Sequence, residues 1–112
     1  MYIRTVDIAH PSLTSQAAEQ VLDDEALTIR SEHTWRVLKV IHGHGTSERP
    51  GVLKQVVQNW AHHHRARLLA VIPGEQYSIL DTQTQEMRKQ CGQVADEDLG
   101  ASNAGITLLW IQ

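Results

Sequence analysis

A chain of 112 residues is enough for one domain with a single modest core. Its one cysteine, Cys91, excludes an internal disulfide framework and suits a reducing compartment. A formal charge of −3 excludes a general polycationic coat for nucleic acid, and no apolar run approaches the length that spans a bilayer.

In chain order, residues 2–9 are partly alternating and β-branched, so a first strand is expected to end near Ile8. The start leads directly into this run without a signal-peptide pattern, and a cytoplasmic setting is expected. His10-Pro11-Ser12 reads as a turn. Thr14 or Ser15 then caps a helix whose apolar residues at 18, 21, 22, 26 and 29 form one stripe, fraying near residues 31–34. A second, buried strand begins near Trp35 and runs through Val37-Leu38-Lys39-Val40-Ile41. The turn His42-Gly43-His44-Gly45-Thr46-Ser47 is too rich in glycine to continue it. Pro50, placed in the first turn of the next helix, is followed by apolar residues at 52, 53, 56, 57 and 60. His62-His63-His64 makes a polar exit at the negative end of that helix. Residues 67–72 form a third strand stopped by Pro73-Gly74, and residues 104–111 a last strand, partly exposed at Thr107. Between them, residues 77–80 either extend a strand or not, residues 82–90 make a short exposed helix, and the rest is loop-like.

This pattern predicts an α/β two-layer sandwich: a four-stranded mixed sheet with two main helices in the order β-α-β-α-β-β. Residues 1–112 form a single domain with a longer, mobile insertion at about 75–102. A crossover helix makes the first two strands parallel neighbours, so Asp7 and the His42-Gly43-His44-Gly45 turn are expected at one sheet edge, with the Asp7 and His42 side chains close together. A strand, a glycine turn and a helix N-terminus together favour an anion. The amides of Gly43, Gly45 and Thr46, with Lys54 one turn into the helix, are the expected phosphate contacts, and Arg49 and Arg36 are further cations for it. His42 and His44 are candidate acid and base, because a free imidazole titrates near neutral pH. His42, His44 and Asp7 also have the composition of a divalent-metal site, although His-x-His alone is a weak signal. The charge is polarised. Between His33 and Arg67 stand six cations and the single acid Glu48, with six of the seven histidines. That suggests one face for an anionic partner. Trp60 and Trp110 read as core rather than stacking platforms, and Cys91 as inert.

The sequence resembles the small MutS-related (Smr) domain family. The second family motif, H-G-x-G, is intact as His42-Gly43-His44-Gly45, and Val52-Leu53-Lys54, Asn59-Trp60 and Leu69-Ala70 follow its pattern. The resemblance covers roughly residues 5–72 and 103–111. It implies a fold similar to the C-terminal domain of translation initiation factor three, and nicking or endonucleolytic cleavage of DNA or RNA. The first motif, L-D-x-H-G in the family, reads Val6-Asp7-Ile8-Ala9-His10-Pro11, so alanine stands where a histidine is expected. His10 is displaced by one residue and, on a regular strand, points to the opposite face. A bulge before Pro11 would re-aim it and add it to Asp7, His42 and His44 as a catalytic candidate. Ser102-Asn103-Ala104-Gly105 keeps only the last glycine of the family's third turn. The alternatives are a binding module for RNA or DNA without catalysis, or an unrelated protein that holds a small phosphate ligand in the same turn.

Overall fold

The helices owe their limits to local chemistry. In the computed structural model, which describes residues 1–45 and 48–112, the Thr14 hydroxyl accepts the Ala17 N–H at 3.1 Å and starts α1 (Ser15–Ser31). Ala18, Leu22, Ala26 and Ile29 return every three or four residues to one face and are buried. Against them pack Leu53, Val56, Val57, Trp60 and Ala61 of α2 (Val52–His63). Burial of each large aliphatic side chain contributes roughly 1.5–3 kcal/mol. Gly51, at φ 69°, is the residue before α2, so Pro50 precedes the helix instead of standing in its first turn.

The strands are β1 (Ile3–Asp7), β2 (Val37–Ile41), β3 (Leu68–Pro73) and β4 (Ile106–Ile111). They form one mixed sheet in the order β1-β2-β4-β3. β1 and β2 are parallel, with Asp7 opposite Ile41, whereas β4 is antiparallel to both β2 and β3. Being central, β4 is buried at all six positions. Thr107, expected to be partly exposed, is only 2% exposed.

Helices α1 and α2 cover the face carrying Leu38, Val40, Leu109 and Ile111. The other face is covered in part by a third helix, α3 (Thr82–Cys91), which Asp81 caps by accepting the Thr84 N–H at 2.9 Å. Met87 and Thr84 are buried, so α3 is a packed helix and not a decoration on a loop. Residues 77–80 do not prolong β3. A single 3-10 turn, Gly74–Gln76, ends it, and Tyr77 is buried beside Ile72, Leu108 and Trp110. Gly74 is required at this point, since a Cβ there would fall 1.8 Å from the Asn103 carbonyl oxygen. Among the described residues, no helix is long and apolar enough to cross a membrane.

Candidate functional site

The parallel pairing brings the ends of β1 and β2 to one edge, and the Ile8 N–H donates to the Ile41 carbonyl at 3.0 Å to extend it. Asp7 closes β1 by turning its carboxylate back on the chain. Oδ1 accepts the Ala9 N–H at 2.8 Å and the His10 N–H at 3.1 Å, and Oδ2 accepts His10 Nδ1 at 2.9 Å. The strand has ended, so its alternation no longer dictates where His10 points. The Ala9–Ser12 bridge and the Leu13 N–H to the Ile8 carbonyl close this turn. The irregularity at Ala9–His10 is built by the Asp7 carboxylate in place of a bulge. Partial desolvation pushes the Asp7 carboxyl up, but the Ala9 N–H and the His10 ring outweigh it and hold it below the usual value. The His10 ring is 72% exposed, and its Nδ1 proton is committed to Asp7, which leaves Nε2 as the open nitrogen.

The second turn divides its two histidines. Gly43 at φ 63° and Gly45 at φ 84° both adopt the left-handed region. A Cβ on Gly45 would lie 2.5 Å from both the Arg49 carbonyl oxygen and the Gly51 nitrogen, so the turn admits no larger residue there. His44 is exposed and lies over Gly105, where an added Cβ would come within 3.4 Å of His44 Nε2. His42 is 1% exposed and packs toward Leu53 of α2, where it borders a small cavity that His10 and His44 also line. Its Nδ1 donates to the Gly43 carbonyl at 2.9 Å and its Nε2 accepts from the Thr107 hydroxyl at 3.0 Å. Burial pushes its pKa below that of a free imidazole, so the buried ring is neutral. Asp7 and His42 thus share the edge, as expected, but not a face: Asp7 follows Ile3 and Ile41, and His42 follows Val40.

His10 and His44 also line a larger cleft of about 460 Å³ together with Ile41, Ile106, Glu97 and Asp98. The acidic part of that lining was missed by sequence reasoning, which treated residues 75–102 as a mobile insertion. It is pinned by Lys39, 6% exposed, which donates to Asp96 at 2.6 Å and Asp98 at 2.8 Å. Desolvation pulls the Lys39 pKa down, but the two carboxylates more than restore it, leaving it raised. Tyr77 donates its hydroxyl to Asp96 at 2.8 Å, and burial followed by that carboxylate pushes the phenol up. Asn103 links Asp98 (3.2 Å) to the Gly105 N–H (2.9 Å), and the Gly105 carbonyl accepts both the His42 and Gly43 N–H groups at 3.0 Å. The buried ion pair therefore runs by hydrogen bonds to the turn that carries His44.

The expected phosphate contacts separate accordingly. The Gly43 amide is spent on Gly105 and does not face outward. Lys54 stands at the N-terminal end of α2 on the site's side, 3.4 Å from Glu75. Arg49 lies in the loop beside Gly45. Arg36 precedes β2 at its opposite end, roughly 20 Å from His42 at the usual rise per strand residue. With Lys39 buried as well, the central cations do not form one basic face. Thr46 lies outside the described residues. Among those described, no three His, Cys, Asp or Glu side chains converge as a metal-holding group. Both His42 nitrogens are also occupied. The triple histidine packs as an exit cap, with His64 stacked on Trp60 at 4.1 Å and its Nδ1 bonded to the Trp60 carbonyl.

The family model for the Smr domain matches residues 11–70, more than half of the chain. The crystal structure of the Smr domain of Thermus thermophilus MutS2 is similar over 100% of this chain and 99% of that one. Its TM-score is 0.58 at 16% sequence identity, a likeness of fold. Comparison with curated proteins gave no match.

Proposed function

The chain belongs to the Smr domain family, and from that premise we propose that it is a nucleic-acid-binding domain that cleaves a phosphodiester, with RNA as the substrate its cleft suits best. One observation carries the reading: His10, held by Asp7 through Nδ1, opens Nε2 into the same cleft as His44. Two imidazoles across one cleft suit transfer to a 2′-hydroxyl, which needs a base and an acid. His10 takes the 2′-hydroxyl proton, the 2′-oxygen attacks phosphorus, and the bond to the 5′-oxygen breaks as His44 supplies its proton. The products are a 2′,3′-cyclic phosphate and a 5′-hydroxyl end. Asp7 fixes the His10 tautomer and stabilises the imidazolium that forms. Lys54 and the start of α2, which has no side-chain cap, supply positive potential at the phosphate end. His42 touches no substrate in this scheme; it shapes the turn.

The test is a cleavage assay on end-labelled RNA and DNA with His10→Ala and His44→Ala as controls. RNA cut to cyclic-phosphate ends by the wild type alone supports the reading, and identical cutting by both variants overturns it. A domain that binds without cutting is the second reading. It is favoured by Ala9, which occupies the family histidine's position and whose methyl lies 3.4 Å from a Cβ built on Gly43. A protein that cut only after Ala9→His would establish that second reading.

A further inference from the structure

The cleft lining combines two opposite chemistries, and the second is unused by the scheme above. Besides the imidazoles of His10 and His44, Glu97 lines the cleft with its carboxylate, together with the apolar side chains of Ile41 and Ile106. Glu97 is exposed and lies between two locked neighbours, since Lys39 holds both Asp96 and Asp98. The backbone around it is therefore fixed, and Glu97 stands between this cleft and a second one lined by Ile3, Lys39 and Asp96. Asp98 is neutralised by Lys39 and engaged by Asn103. No hydrogen bond or ion pair engages the Glu97 carboxylate among the described residues.

A lone carboxylate repels a polyanion, so its presence in a phosphate cleft calls for a donor on the ligand. The volume, about 460 Å³, suits a single nucleotide, and pockets of this size commonly take small ligands. A phosphate at the imidazoles, with its base lying over Ile41 and Ile106, presents the base edge to Glu97. Among unpaired bases, guanine alone offers two adjacent donors, N1–H and N2–H, to the two oxygens of one carboxylate. Adenine and cytosine offer one amine beside an acceptor, and uracil one imino proton flanked by two carbonyls. We propose that Glu97 is a specificity-determining residue that reads an unstacked guanine next to the scissile phosphate. This rests on the cleft binding nucleic acid.

The experiment measures equilibrium binding of the intact protein to short labelled oligouridylates carrying one central guanine, adenine, cytosine or uracil. A 2′-deoxy sugar at every nucleotide removes the nucleophile and prevents cleavage. The wild type should prefer guanine over adenine on the order of tenfold or more, the discrimination expected of a bidentate base contact. Glu97→Gln keeps one acceptor but sets its amide N–H against the second guanine donor, so the ratio should fall toward one while the all-uracil oligomer binds no more weakly. Glu97→Ala should also flatten the ratio. Because residue 97 is exposed, neither variant threatens the fold. Equal affinity for all four oligomers, or a guanine preference that survives both substitutions, overturns the inference and leaves the nucleic-acid reading standing. Failure to bind any of the four overturns both.

Discussion

Two polar clusters flank Gly105, and they use charge in opposite ways. Around Lys39, Asp96, Asp98 and Tyr77 every group meets a partner, so the cluster fixes geometry and has little freedom to react. Around Asp7, His10 and His44 one partner is fixed and the remaining nitrogens meet no partner among the described residues, so the same kinds of side chain retain chemistry. His42 and His44 repeat the contrast within one turn. Two residues apart, one is buried with both nitrogens bonded and the other is exposed in the cleft. Membership in a motif does not assign a role; the face on which the side chain lands does.

The contrast breaks most visibly if its buried half is cut. Lys39→Met leaves Asp96 and Asp98 without a counter-charge, and breaking a buried pair costs roughly 3–5 kcal/mol. Urea unfolding should show that loss, and a change below about 1 kcal/mol means that water compensates the carboxylates. In the open half, His10→Ala should lower the RNA cleavage rate by on the order of 10²–10⁴ and leave both binding and the urea midpoint nearly unchanged. A variant that loses affinity to the same degree places His10 in binding and not in proton transfer.

The pH response sharpens the distinction further. Burial lowers the pKa of His42, so above the ordinary imidazole value of about 6.5 it is neutral both folded and unfolded. As the pH falls below that value the unfolded chain takes up the proton first, and stability declines until His42 is itself protonated in the folded state. The urea midpoint should drop as the pH falls through the ordinary imidazole value, and His42→Gln should remove most of that drop. The Asp7 carboxyl, held below its usual value, acts in a lower window. Its contribution is present above the ordinary aspartate range and is lost as the pH falls through its depressed value. The smallest effect belongs to Lys54. Lys54→Ala should reduce the salt dependence of nucleic-acid binding by about one unit of slope, and an unchanged slope assigns its charge to Glu75 alone.

The sheet edge was legible because its signals are local. A β-branched run stopped by His42-Gly43-His44-Gly45 and followed by helical spacing fixes strand, turn and helix without reference to the rest of the chain. The same locality placed α1 and narrowed its cap to Thr14 or Ser15, of which Thr14 is the one used. Lys39 was not legible. A lysine in a strand reads as a solvent-facing position, and its partners lie 57 and 59 residues away in a stretch that reads as loop. For the same reason six central cations read as one basic face, although burial removes Lys39 and strand direction removes Arg36. His42 hid its fate because facing depends on where β2 ends, and one residue reverses it. The third turn offered a usable signal: Asn103-Ala104-Gly105 before an apolar strand marked the backbone that meets the His42 turn.

The central position of β4 has a consequence for the order in which the molecule is assembled. The strand that separates β2 from β3 is the last of the four to be made, and its entry residue Gly105 supplies the carbonyl on which the His42–Gly43 amides rest. Until that strand emerges from the ribosome, β1 and β2 have only each other, β3 has no neighbour, and the cleft lacks Ile106. Contacts so distant along the chain close late. The cleft that His10 and His44 line is therefore complete only after the final strand has docked.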